Sequence, residues 1–336
     1  MIGTQRSGSN LLRVMMKELG NISAPHPPHI LERFVPLLPA FGDLSIPENF
    51  YKLVEYVCQL VECNPVSWTE DGFTLSGEEI VQRCEESSLA EVFRVIYDML
   101  AEHERAAMWM CKSMANIHYT DLLEERIKPF YIHLYRDGRD VALSFKKAIV
   151  GEKHIYALAS QWKQEQDLSL SLFRMLGTGR VLQIKYEELL AAPQREMKRI
   201  CSALGLTYTD KVMDYYKSGE SKKTAQSGKM WENVEKPVIS DNYNKFRKEL
   251  SEEDILLFER VAGDTLVALG YSLCFPGQAQ QRFTKDELDF YKSENKRMKQ
   301  ESLLRQSPED IAKRKRQDEL LRKIKSMMPV ESTVSQ

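Results

Sequence analysis

The apolar positions of this chain change period along its length, and the changes outline its elements. Leu11, Leu12, Met15, Met16 and Leu19 recur at helical spacing, with Gly20 as a left-handed stop. From about residue 47 to 105 the helical period returns. Phe50, Leu53, Val54, Val57, Leu60 and Val61 make one apolar face, Val92, Val95, Ile96, Met99 and Leu100 another, and Asn64-Pro65 and Asp71-Gly72 separate them. Three short apolar runs then alternate with helical patterns, at residues 107–111, 130–135 and 181–184. Strands punctuated by helices predict crossover units, hence an α/β fold of three layers with a mainly parallel β-sheet flanked by helices. In such sheets ligands sit beyond the carboxyl ends of the strands.

Two segments depart from this alternation. Residues 23–33 contain Pro25, Pro27 and Pro28, which remove donors and restrict their neighbours, so the segment reads as a rigid extended loop carrying His26 and His29. Beyond Tyr271 the composition shifts to a hinge at 276–281 and then to charged helical stretches reaching about residue 327, with Pro308 opening a fresh helix. There a basic run, Lys313 to Arg316, precedes the apolar positions Leu320, Leu321, Ile324, Met327 and Met328. The expected organisation is a principal domain over 1–275, with a helical insertion at about 40–105, and a charged helical extension over 276–336. That extension is expected to dock on its own domain, and its apolar stripe also offers a surface for pairing two copies of the chain.

Composition narrows the class. With 336 residues, 43% apolar and 29% charged, the chain can bury a sizeable core, and a formal net charge of −2 argues against a specific nucleic-acid partner. Six dispersed cysteines with no C-x-x-C pair fit neither zinc nor a disulfide framework, so a reducing cytoplasm is the expected setting. No apolar run reaches the length of a membrane span, and no leader pattern opens the chain.

The chemistry-bearing pattern is at the start. Gly3 and Gly8 are five apart, as in a phosphate-cradling loop that opens a helix, but Ser9 stands where the phosphate-binding lysine belongs and Asn10 where the magnesium-binding hydroxyl belongs. Such a loop holds an anion through N–H groups and the helix dipole and is poorly equipped for Mg²⁺-ATP. Arg6 supplies a permanent cation inside the turn. Only Met1 and Ile2 precede the loop, so the strand expected before it is minimal or cut short. Each predicted strand also ends in a cation, Lys112, Arg136 and Lys185, which together with Arg6 point to an anionic ligand with more than one charged group. Arg139 reads as a solvated neighbour.

These residues resemble the sulfotransferases that use 3′-phosphoadenosine-5′-phosphosulfate, over roughly residues 2 to 271. The resemblance implies a P-loop-like sulfotransferase fold in which Gln5, Arg6, Ser7, Gly8, Ser9 and Asn10 bind the 5′-phosphosulfate. Arg136 and Ser144, eight residues apart, bind the 3′-phosphate. Tyr186, in the run 181–190, and Lys236, in the late loop with Trp231, complete the implied nucleotide site. Lys112 falls where the family often has a lysine after a strand, and with Arg6 it is a candidate for stabilising charge on the bridging oxygen. The implied reaction is metal-independent in-line transfer of a sulfuryl group to a hydroxyl or amine, releasing the desulfated bisphosphate. The acceptor is a small molecule, a glycan or a peptide. A nucleotide kinase-like phosphotransferase and a noncatalytic nucleotide-binding module are the competing classes.

Members with a lysine at this place have a catalytic histidine two residues later, and this chain has Met114 there. Other branches of the family take the general base from the segment after the first helix, typically a glutamate, and counting from Arg6 leads there to His26 or its neighbours. An imidazole has a sizeable neutral fraction at pH 7. His26 is the first choice, His29 the second and Glu32 the third, because a helix starting there would turn Glu32 away.

Overall fold

The structure, a computed structural model, describes residues 1–68, 72–149, 151–226, 229–278 and 282–329. Asp71 of the expected separator and residues 279–281 of the expected hinge lie outside the described residues. In chain order the elements are α1 (Ser9–Lys17), β1 (Ile22–Ser23), α2 (Ile30–Phe34), α3 (Pro47–Glu62), α4 (Gly77–Arg83), α5 (Leu89–His103), β2 (Met108–Trp109), α6 (Thr120–Arg126), β3 (Tyr131–Tyr135) and α7 (Gly138–Lys147). There follow α8 (Ile155–Leu176), β4 (Val181–Lys185), α9 (Tyr186–Ala191), α10 (Pro193–Leu204), α11 (Gly219–Gln226), α12 (Phe246–Glu249), α13 (Glu252–Ala268), α14 (Lys285–Leu303) and α15 (Pro308–Ser326). They form two compact units, one of Met1–Glu18 and Phe130–Ser307, the other of Leu19–Pro129 and the described part of Pro308–Gln336.

In the first unit β3 pairs in parallel with β4, Tyr131 opposite Val181 through Tyr135 opposite Lys185. On its other side β3 meets Ile2, which donates to Ile132 O at 2.9 Å and accepts from Leu134 N at 3.1 Å. The expected first strand is thus a single parallel bridge, enough to fix where the glycine loop leaves the sheet. Helices α7, α8, α12 and α13 pack over one core through Val141, Trp162, Phe246, Phe258, Ala262 and Leu266. Gly138 allows the close approach: a Cβ there would lie 2.5 Å from Phe258 Cζ and 2.6 Å from Trp162 Cδ2.

A buried polar chain ties the sheet to the loop. His133 Nε2 lies 2.8 Å from Gln166 Oε1, Gln166 Nε2 donates to Thr4 Oγ1 at 3.0 Å, and Gln183 Nε2 lies 3.4 Å from His133 Nδ1. The glutamine oxygen can only accept, which assigns the hydrogen to Nε2 of a neutral ring. Burial pushes this imidazole down to about 4. The unfolded chain takes up a proton near pH 6.5 that the folded one refuses, so this contribution is whole above 6.5 and is lost as pH falls toward 4. Denaturant melts at pH 7.5 and 4.5 should show a loss of roughly 3 kcal/mol that is absent in His133→Asn.

In the second unit β1 pairs in parallel with β2, and Met110 N donates to Ser23 O at 2.8 Å. β1 falls where the proline-rich loop was expected to begin. Its extended backbone suits both readings, and the ladder with β2 decides for strand. The loop itself is shorter than expected, because α2 starts at Ile30. The helical faces of α3 and α5 are buried as their period predicts, with Leu53, Val57, Val92 and Ile96 fully enclosed. Tyr97 packs against Trp68, Phe93 and Trp109 at ring separations of 5.1, 4.9 and 4.9 Å. α15 packs on α3 within this unit and buries Leu320 and Ile324.

Candidate functional site

The glycine loop of the first unit leads from Ile2 into α1 through three residues with positive φ: Gly3 (122°), Arg6 (71°) and Gly8 (88°). Gly8 is the N-cap of α1, and the first turn of that helix carries no acidic side chain. A Cβ on Gly8 would overlap the ring edge of Tyr186, so glycine here serves conformation and a close approach together. Arg6 at φ 71° is a non-glycine residue in the left-handed region, strain of the kind that gathers at ligand sites.

That strained backbone sends the guanidinium to α7, where Arg6 Nε donates to Ser144 Oγ at 3.0 Å. Arg136, between β3 and α7, meets the same loop: its NH1 donates to Arg6 O at 3.4 Å and its guanidinium lies 4.7 Å from the centre of the Tyr186 ring. Arg6, Gly8, Arg136, Ser144 and Tyr186 are thereby gathered from positions up to 180 residues apart. Burial first, and then the charge of Arg136, hold the Arg6 guanidinium below its usual range. Two like charges in a desolvated place repel, and an anion between them would turn that repulsion into attraction. The buried polar atoms agree, since Ser7 Oγ and Arg136 Nε have no hydrogen-bond partner among the described residues.

A strap over residues 242–246 closes on the arginine. Asn242 O accepts from Arg136 NH2 at 3.0 Å, and Asn242 Nδ2 donates to Tyr186 OH at 2.9 Å. Asp140, 3.6 Å from Arg136 NH2, accepts from the backbone of Asn244 at 2.6 Å and of Phe246 at 2.9 Å. Its burial raises the Asp140 pKa, against the opposing pull of Arg136. Asn242 and this use of Asp140 carry no sequence signal, since both depend on a strap folding back from a hundred residues away.

One cation, Arg139, behaves otherwise than the sequence leads one to expect, and Lys185 and Lys236 take up contacts of their own. Arg139 is 1% exposed rather than solvated, because Asp137 at 2.7 Å and Glu259 at 2.6 Å pair with it. Glu259 also accepts from the backbone of Cys274 and Phe275, so the network anchors the start of α7. Lys185 lies over the Tyr271 ring, 4.2 Å from its centre. Lys236 is exposed, with its Nζ 3.3 Å from Asn233 Oδ1. Of the remaining loop residues, Ser7 and Ser9 are buried while Gln5 and Asn10 are partly exposed.

In the second unit Lys112 is buried just after β2. Lys112 acts electrostatically on His29, whose Nδ1 lies 2.8 Å from Ser113 Oγ and 3.1 Å from Glu32 Oε2. A carboxylate only accepts, so the hydrogen is assigned to Nδ1 and the Nε2 lone pair is left to take up a proton. Burial lowers the His29 pKa, with Glu32 opposing and Lys112 reinforcing it. For Glu32, burial raises the pKa, but His29 and the charges of Arg33 and His118 outweigh it and the net direction is down. Glu32 sits in the first turn of α2, one helical step on from His29, and its carboxylate meets that imidazole. His29 itself has φ 61°. His26 is buried, and its carbonyl accepts from Asn64 Nδ2 at 2.9 Å and Trp68 Nε1 at 2.8 Å. Ser113 is the residue of this cluster that the sequence did not single out.

Comparison with known proteins gives the family and the fold. The family described as "Sulfotransferase family" matches residues 1–210, and the chain belongs to it. Two solved structures share the fold. The sulfotransferase domain from the Synechococcus PCC 7002 olefin synthase superposes with a TM-score of 0.53 at 22% identity, covering 81% of this chain and 94% of that one. The sulfotransferase domain from the curacin biosynthetic pathway gives 0.54 at 18% identity, covering 81% and 96%. No curated protein sequence matches. The α/β fold expected from the alternation of strands and helices, and the sulfotransferase form of it that the resemblance implied, is the fold the chain has, and sulfotransfer is the general activity its family defines. Among the described residues no helix is long and apolar enough to cross a membrane.

Proposed function

We propose that the chain transfers a sulfuryl group from 3′-phosphoadenosine-5′-phosphosulfate to a hydroxyl or amine acceptor without a divalent metal. The observation that carries this reading is the pairing of the half-buried Arg6 with the buried Arg136, with Ser144 on one and the Tyr186 ring beneath the other. A ligand with two separate anionic groups satisfies both guanidiniums, the orphaned Arg136 Nε and the Ser7 hydroxyl. The absence of a lysine and a hydroxyl at Ser9 and Asn10 disfavours a kinase using Mg²⁺-ATP. Gln5 to Asn10 are assigned to the 5′ end, Arg136 and Ser144 to the 3′-phosphate, Tyr186 to the nucleotide, and Lys236 to the late loop.

The chemistry asked of the protein is modest. The acceptor oxygen or nitrogen forms a bond to sulfur while the bond from sulfur to the bridging oxygen breaks, its electron pair staying on the 5′-phosphate. Arg6 and Lys112 are assigned to the charge that grows there, a place where fixed donors act more strongly on the transition state than on the ground state. The acceptor proton goes to a neutral imidazole. His26 is the candidate from counting, and the Nδ1–H directed at Glu32 supports His29, whose second nitrogen then serves as base.

Labelled sulfate supplied on the donor, followed by mass spectrometry of whatever becomes labelled in a cell extract, tests the reading and identifies the acceptor. Transfer without Mg²⁺ is the expected result. Binding of the bisphosphate with no transfer to any acceptor would instead mark a noncatalytic module, and dependence on Mg²⁺-ATP a kinase.

A further inference from the structure

α11 is a helix with almost nothing to hold it by apolar burial. Its 8 residues, Gly219 to Gln226, include no apolar side chain larger than that of Ala225, and the residues it buries are Ser221 and Thr224. So short a helix is marginal alone, and the usual source of its stability, an apolar face set against the core, is missing. What fixes it is Arg13. This side chain on α1 is 0% exposed, and its NH1 donates to Glu220 Oε1 at 2.5 Å while its NH2 donates to Thr224 Oγ1 at 2.5 Å. Lys17, one turn further along the same face of α1, places its Nζ 3.7 Å from Glu220 Oε2.

A buried ion pair of this kind contributes little net stability, since desolvation offsets most of the attraction, and its best-attested use is to fix one arrangement among several. The two elements it joins both lead to the anion site. α1 opens at Gly8, with Arg13 just over one turn in. The turn Lys229–Glu235 that follows α11 packs on α11 and on α1, and next to it the carbonyl of Lys236 accepts from the OH of the buried Tyr215 at 2.7 Å. Further on, Asn242 meets Arg136 and Tyr186. The late segment 219–246 is thus pinned at its far end to the site and at its near end to the helix that starts there.

We propose that Arg13 is a positioning residue for donor binding: acting through α11 rather than on the ligand, it holds the late segment against Arg136 and Tyr186. This inference rests on the donor assignment above.

Calorimetry of the full chain with 3′,5′-bisphosphoadenosine, read beside thermal melts, tests it. Arg13→Met strands Glu220 in a mostly buried place, so the melting temperature should fall. Affinity should drop about tenfold, as when the competent arrangement is populated about a tenth of the time. Arg13→Met combined with Glu220→Leu removes both charges and leaves the net charge of the chain unchanged. It should recover the melting temperature, because apolar side chains suit the buried place, yet keep the tenfold loss of affinity. Thr224→Val, which alters no charge, should weaken binding about threefold, and it serves as the second variant if Arg13→Met does not fold. Trypsin should cut at the exposed Lys222 faster in each variant than in the wild type, the direct sign of a loosened late segment. Unchanged affinity or unchanged cleavage in the variants, or affinity that returns together with the melting temperature in the double variant, overturns the inference and leaves the donor assignment standing. A wild type that binds no bisphosphate overturns the donor assignment, and this inference with it.

Discussion

Arg136→Ala is expected to weaken binding of 3′,5′-bisphosphoadenosine by about 100-fold or more, measured by calorimetry on folded protein. A guanidinium that meets a phosphate through two charge-assisted bonds contributes ~3 kcal/mol or more, and 1.4 kcal/mol is a factor of ten. The same substitution leaves Asp140 buried beside two backbone donors with its cation gone, and removes the donor to Asn242 O. The strap over 242–246 should loosen, so a lower melting temperature is expected as well. Arg136→Lys separates the two effects, because it restores the charge near Asp140 but not the planar fork. It should recover most of the melting temperature and little of the affinity. Full affinity in Arg136→Ala would show that the two arginines face each other for some purpose other than holding an anion.

His29→Ala is expected to reduce turnover at least 100-fold while leaving bisphosphate affinity unchanged, the usual scale for removing a general base. The His29 pKa is below the ordinary value, so the imidazole is neutral at pH 7 and protonates only as the solution is acidified. Turnover should be level around neutrality and fall on the acid side below about 6.5, and that acid limb should disappear in the variant. Glu32→Gln keeps an acceptor at Nδ1 but removes the negative charge, and a smaller loss, about tenfold, is expected. His26→Ala is the decisive comparison. If it abolishes turnover and His29→Ala does not, the base is His26, and the His29–Glu32 pair is an ordinary stabilised loop.

The parallel sheet of the α/β fold was legible for a definite reason. The strand run at 130–135 is apolar because β3 is buried on both faces from Tyr131 to Leu134, and the run at 181–184 because β4 encloses Val181 and Ile184 beside it. Strand β1 was not legible, because two residues beside a proline-rich segment carry no period; only pairing with Met108 and Trp109 makes Ile22 and Ser23 a strand. The loop glycines, Arg6 and the Arg136–Ser144 spacing were visible as a pattern. Their closeness, and the contact of Gly8 with Tyr186, required the chain to fold back.

Polar partnerships were hidden in a more general way. Arg139 and Arg13 look like surface charges in a sequence, since long charged side chains are seldom enclosed. Glu259 and Glu220 pair with them from more than a hundred residues away. The residues of α11 carry no hydrophobic period, so no measure of apolar patterning would find it.

What the sequence determined by itself is the local grammar: the alternation that makes a parallel sheet, the glycines that permit a left-handed turn, and the missing lysine and hydroxyl that set this loop apart from a triphosphate site. Each follows from properties of neighbouring residues. Tertiary structure decided which charges share a desolvated place, because Coulomb energy and burial depend on separations in space that residue spacing does not contain. Arg6 facing Arg136, and His29 meeting Glu32 and Ser113, belong to that second kind.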